Sequence, residues 1–130
     1  MRKVAGDIPL DEIKTKLCNL VDLKVDEYRS RYPAPGRYIS DEYSLAYRQA
    51  YEYLHEYEGG PVPPCVTSWS AASGMSNAEA AQDIVETGNL YNEILERTRD
   101  IRLRAKAVIQ AATTAFDARR HFDTFQRVMV

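Results

Sequence analysis

Cysteine, histidine and tryptophan are scarce in this chain, numbering two, two and one among 130 residues. Cys18 and Cys65 lie far apart in unlike contexts, so neither a CxxC redox motif nor a secreted disulfide framework is indicated. His55 and His121 are isolated from each other and from the cysteines. No HxxxH or CxxC pair nucleates a metal site, and neither metal nor cofactor is expected. Long apolar runs are also missing: nothing approaches the roughly 18 uninterrupted apolar residues of a membrane span. Met1 to Asp11 is charged and interrupted by Gly6 and Pro9, without the apolar core of a signal peptide. A soluble protein with no membrane partner is expected.

Motifs of catalysis are missing too. Gly59 and Gly60 precede Pro61 and not a Lys-Ser/Thr pair, so there is no phosphate-binding loop. Ser68, Ser70 and Ser73 surround Trp69 without forming GxSxG, and serine-rich stretches usually do turn chemistry. The pairs Asp26/Glu27 and Asp41/Glu42 fall near helix surfaces or caps, where carboxylates are commonly solvated. The expectation is a non-enzymatic protein with no catalytic residues.

What is present is a helix-forming pattern. With 45% hydrophobic and 28% charged residues, the length suits one globular domain over residues 1–130, with no need of disulfides or metal. Ile13, Leu17, Leu20, Val21 and Tyr28 recur at helical spacing and predict a first helix over 9–31, ended by Pro33, Pro35 and Gly36. A second is predicted over 41–57, with Ser40 as N-cap and Asp41 and Glu42 in the first turn, where the helix dipole favours negative charge. Residues 61–75 lack helical periodicity and predict a packed extended loop or small hairpin carrying Trp69.

A capping box at Ser76 and Glu79 opens the strongest element, a long helix over 77–112. Along it Ile84, Tyr91, Thr98, Ala105 and Ala112 repeat every seven residues, with Ile94, Ile101, Val108 and Ala115 three positions further on. Unbroken, such a helix would be about 54 Å long, against a radius of gyration of about 14 Å for a compact domain of this size. Either Gly88 breaks it, or the seam has a partner, which is helices one and two or another copy. Ala118, Phe122, Phe125 and Met129 continue one face over 115–129, as a terminal helix or a continuation, and that face expects a cover. The fold class is mainly α: a three-to-four-helix assembly, of bundle or coiled-coil type, with a long C-terminal helix.

Charge is polarised. Residues 91–130 hold eight basic and five acidic side chains, and residues 1–90 hold nine and fourteen. Arg97, Arg99, Arg102, Arg104 and Lys106 could form a phosphate-contacting helix, but helical geometry spreads them around the circumference. The favoured reading is that they flank the seam and pair with Glu93, Asp100 and acids of the first half. Nucleic acid is not the expected partner, and opposite polarity at the two ends suits head-to-tail contacts between copies.

Eight of the nine tyrosines lie between Tyr28 and Tyr57. Tyr43, Tyr47 and Tyr51 form a stripe that Leu54 continues, suited to a core margin or an interface because each hydroxyl needs a partner or water. Tyr53 and Tyr57 fall partly off the stripe and are better placed for contact with another molecule.

Arg29, GRYISDEYSLAYRQA (36–50), VTSWSAASGMSNAEAA (66–81) and RTRDIRLRAKAVIQAATT (97–114) together resemble a domain of unknown function found in tailed-bacteriophage tail and tail-fibre-associated proteins. Gly36, Tyr38, Ser40, Asp41 and Ser44 match that family's extended element, and Trp69 and Gly74 its Trp-bearing strand and turn. The chain departs from it at Pro33, Pro35 and the prolines of 61–64. The resemblance implies a structural or assembly role, in the virion or in the host cytoplasm during assembly, with tail or tail-fibre proteins as partners. A homo-oligomer is expected. The expected interface comprises Tyr43, Tyr47, Tyr51, Tyr53, Tyr57, Trp69, Ile94, Ile101, Val108, Phe122, Phe125 and Met129. Two alternatives stand beside this: an assembly chaperone not retained in the particle, and a small helical regulatory protein whose basic helix contacts nucleic acid.

Overall fold

Five helices and, among the described residues, no strand make up the structure, a computed structural model that describes residues 8–32, 39–56 and 59–129. The mainly α class expected from the sequence holds. Helix α1 (Leu10–Arg29) buries Ile13, Leu17, Cys18, Val21 and Val25 along one stripe, with Asp11 and Glu12 in its first turn and Arg29 in its last. Pro9, extended at ψ 139°, stands at its N-cap. Helix α2 (Ile39–His55) starts before Ser40, so that residue lies in the first turn and not at the cap. Tyr57 lies outside the described residues, as do Gly36 and Tyr38.

The predicted loop or hairpin over 61–75 is instead a helix, α3 (Pro64–Ser73). Proline serves as a first-turn residue at its start, where no intrahelical N–H is needed. Gly74 ends it in the left-handed conformation, φ +77°, which glycine adopts without a Cβ penalty. The orphan backbone N–H of Cys65 is taken up by Gln49 Oε1 on α2 at 3.0 Å. Only Val66 is buried in α3, so this short helix of small residues carries almost no apolar periodicity to detect.

Helix α4 (Asn77–Ala111) runs through Gly88 without a break. Its start is the expected capping box: Glu79 N–H donates to Ser76 Oγ at 3.2 Å, and Ser76 N–H to Glu79 Oε1 at 3.4 Å. The chain then turns at Ala112. Thr114 accepts the Asp117 N–H at 3.1 Å and caps α5 (Ala115–Val128), which is thus a separate terminal helix.

The chain divides into two compact units. Unit 1 comprises residues 1–32 and 95–130, and unit 2 residues 33–94. In unit 1, the buried stripe of α1 packs with Ala105 and Ile109 of the α4 segment, with Ala112 of the turn after it, and with Ala118, Phe122, Phe125 and Met129. The apolar face of α5 is therefore covered by the chain itself. Phe122, Phe125 and Met129, expected at an interface, are core residues 4–8% exposed. In unit 2, Ala50, Val66, Ala80, Ala81 and Val85 form the core, with Tyr47, Leu54, Val62, Met75 and Ile84 against it.

The seven-residue seam is corrected in phase. A straight α-helix drifts about 20° per heptad against a strict 3.5 repeat. Ile94 is buried, Ile101 is half-buried against the core of unit 1, and Val108 has turned out to 42% exposure. Ile109, unremarked in the heptad, is fully buried in its place. Truncating Ile109 to Ala should cost about 2–5 kcal/mol in a denaturant melt, and Val108→Ala less than about 1 kcal/mol, as for surface positions. Equal costs would restore the strict heptad.

Candidate functional site

Two surfaces hold the residues singled out by sequence. In unit 2, the tyrosine stripe of α2 divides. Tyr47 lies over Gly88 and donates its hydroxyl to Asn89 Oδ1 at 2.7 Å. Tyr53 is half-buried, whereas Tyr43 and Tyr51 are both 43% exposed. The Tyr51 ring stacks on Tyr47 at 6.1 Å and meets His55 at 4.3 Å, so an aromatic ladder climbs the exposed side of α2. Trp69, expected to be buried, is 40% exposed and donates its indole N–H to Asp83 Oδ2 at 2.8 Å.

These rings sit in an acidic field. Residues 33–94 hold nine acidic and two basic side chains, a net charge of −7. Among the described residues no ion pair falls in unit 2. Its carboxylates instead accept from neutral donors: Asp83 from Trp69, Glu86 from Gln82, and Glu79 from the backbone N–H of Ser76.

Gly88 holds the Tyr47 contact. A Cβ built there would stand 2.9 Å from Tyr47 Cε2 and closer still to Cδ2, below any ordinary contact distance. Removing a helix-interior glycine normally favours the helix by roughly 0.5–1 kcal/mol. Gly88→Ala should nevertheless destabilise unit 2 and displace the Tyr47 ring, read as a lowered melting temperature and a changed tyrosine environment in the near-ultraviolet circular dichroism.

Unit 1 is the basic counterpart, with fifteen basic and ten acidic side chains, a net charge of +5. The basic run on α4 is largely engaged within the unit. Arg102 and Lys106 both reach Asp22 of α1, at 3.1 and 3.0 Å, and Arg104 pairs with Asp100 at 2.9 Å. Arg97 donates to the Tyr28 hydroxyl at 2.8 Å. Arg97 and Arg99 of the run have no ion-pair partner among the described residues, and Glu93, expected as a partner, has none either. Thr98, 1% exposed on the seam, accepts Arg29 Nε at 2.9 Å and donates to the Leu95 carbonyl at 3.2 Å, so its buried hydroxyl is satisfied.

Beside this network, Lys24, Glu27, Tyr28, Arg31, Gln126 and Arg127 line part of an open groove of about 630 Å³. The Tyr28 hydroxyl is shifted below its ordinary pKa by a hydrogen bond from Tyr32, then by Arg97 and Arg31. At 3.4 Å the Tyr32 contact is long for an O–H···O bond, which leaves Arg97 as the firmer partner. The groove lies where α1 and α5 end. Cations there also offset the negative ends of those helices, so their presence has a structural explanation.

No known protein family, curated protein or solved structure matches the chain. Among the described residues no helix is long and apolar enough to cross a membrane, and no three metal-ligating side chains cluster.

Asp22 is the measurable hub of the basic unit. Burial by itself would raise its pKa, but hydrogen bonds from Lys106 and Arg102 outweigh that and bring it below the ordinary 3.8. A depressed carboxylate pKa stabilises the fold at pH above the unfolded value, and that contribution fades as pH falls through the folded value. Asp22→Asn should therefore melt earlier than the wild type at neutral pH, with the gap closing below pH 3.8. A gap that persisted at low pH would rule out ionic linkage.

Proposed function

We propose that this chain is a non-enzymatic docking protein of a tailed-bacteriophage particle or its assembly. Its aromatic, acid-rich helical surface attaches to tail or tail-fibre proteins. The observation that carries the docking role is the exposure of Tyr43, Tyr51 and Trp69, each 40–43%, within a unit of net charge −7 that has no ion pairs among its described residues. Tyrosine and tryptophan combine large apolar area with a polar end and are enriched at protein interfaces. Unpaired carboxylates around them favour a partner of opposite charge and speed encounter with it.

The phage setting rests on the resemblance of residues 20–114, but Ser40, Asp41 and Ser44 of its extended element lie on helix α2, so the extended form of that element gives no support. Trp69 lies on a helix here and not on the strand that resemblance implies, so the strand-and-turn part of the match gives no support.

The test is the particle. The protein should occur at fixed copy number in particles purified from an infection that expresses it. Tyr43→Ser/Tyr51→Ser should lower its occupancy by at least about tenfold, the loss of about 1.4 kcal/mol, without lowering its melting temperature. Absence from particles combined with loss of fibres on deletion would make it an assembly chaperone. Absence with intact, infectious particles would overturn the phage reading.

A further inference from the structure

We propose that copies of this chain bind one another through unlike surfaces, the outer face of α2 on one copy lying alongside the outer face of α5 on another. The first ground is charge. The −7 of unit 2 and the +5 of unit 1 belong to the same chain, so each copy carries both halves of a complementary pair.

The second ground is the pattern on each face. On α5 the core side holds Ala118, Phe122 and Phe125. The opposite side presents Phe116, Arg120, Asp123 and Arg127 at i, i+4, i+7 and i+11, one stripe of a helix. Phe116 is 75% exposed, the most exposed large apolar side chain described. Arg120 has only a 3.6 Å contact to Asp117, and Asp123 and Arg127 have no ion-pair partner among the described residues. On α2 the core side holds Ala50. Its outer side presents Asp41, Leu45, Arg48 and Glu52 at the same four intervals, with Leu45 40% exposed and none of the three charges in an ion pair among the described residues.

Laid parallel in that register, the two stripes match. Arg48 meets Asp123, Glu52 meets Arg127, and Asp41 stands diagonally to Arg120 across Leu45 and Phe116. Arg48 is the one described cation of unit 2, and Asp123 the one acid of the α5 stripe, so the residue of odd sign on each face falls opposite the other. Leu45 and Phe116 supply apolar area, diagonal to each other at the N-terminal end of the contact, and the charges set register and orientation. Because the two faces differ, the contact is heterologous: it closes as a reciprocal pair or ring, or continues as a chain.

This deepens the docking-protein reading by naming a second copy as a partner of the acidic unit. Sedimentation velocity of the full chain tests it. The wild type should associate at about 0.1 M salt and dissociate at about 1 M, where the screening length falls from about 10 Å to about 3 Å. Arg48→Glu and Asp123→Arg should each weaken association at least about tenfold, with unchanged circular dichroism and melting. The double variant Arg48→Glu/Asp123→Arg should restore it to within about threefold, since each reversal then meets the other across the contact. A wild type that stays monomeric at low salt, association that either single reversal leaves intact, or a double variant no better than the singles would overturn the inference. A strictly monomeric protein that still occupied purified particles would overturn it and leave the docking role standing.

Discussion

A helix that serves two cores in succession has to bury one stripe after another without interruption, and the rest of this structure depends on how α4 does so. In unit 2 its buried positions are Ala80, Ala81 and Val85, followed by the bare backbone of Gly88 beneath Tyr47. In unit 1 they are Thr98, Ala105 and Ile109, with Ala112 just past the helix end. Small residues predominate in both sets, so neighbouring helices approach closely. Bulk then comes from the facing elements, Val21, Val25, Phe122 and Phe125 in unit 1 and Val66 with Tyr47 in unit 2. The one polar member, Thr98, is tolerated because Arg29 supplies a donor that would otherwise have to come from water.

Electrostatics divides along the same lines. All five ion pairs among the described residues belong to unit 1, and two of them converge on Asp22, tying α1 to the α4 segment of that unit. Exposed pairs such as Lys16–Glu12 or Arg104–Asp100 contribute little, because solvent screens them. The Asp22 cluster is partly buried and joins distant parts of the chain, so it orients α1 as well as stabilising it. Unit 2 has no such network among its described residues. Its cohesion comes from a core of alanine and valine, the Tyr47–Asn89 and Trp69–Asp83 bonds, and the Gln49 contact that holds the start of α3.

Much of the fold was legible in the sequence because its signals are local. The stripe of α1, the Ser76/Glu79 box and the helical spacing of Ala118, Phe122 and Phe125, by four and then three residues, are all properties of neighbouring residues. The misses have non-local causes. Val108 and Ile109 differ by one position, and only the path of a straight helix decides which turns inward. Pro64 and Gly74 bracket α3 as proline and glycine commonly bracket helices, yet between them lies so little apolar pattern that turn chemistry was the stronger reading. The Tyr43, Tyr47 and Tyr51 stripe was visible, but which ring is covered depends on Gly88, about forty residues away in sequence and in contact only once the unit forms. The division into two units was hidden because one uninterrupted helix belongs to both.

The same geometry explains why one of the surfaces that sequence patterning singled out, the apolar face of α5, is not free for a partner. The amphipathic face of α5 was the obvious sticky surface, and folding covers it with α1 and the α4 segment of unit 1. What remains exposed is patterned by charge and by the aromatic rings of Tyr43, Tyr51 and Trp69. Phe116 illustrates the shift. It sits one turn before Arg120 and opposite the core stripe, a large apolar ring among arginines. Leu45 is likewise an exposed apolar side chain among the charges of α2. Isolated exposed apolar residues are ordinary on protein surfaces. Two of them, one turn apart on faces of opposite charge, make a pair of surfaces suited to specific contacts whose strength depends on salt.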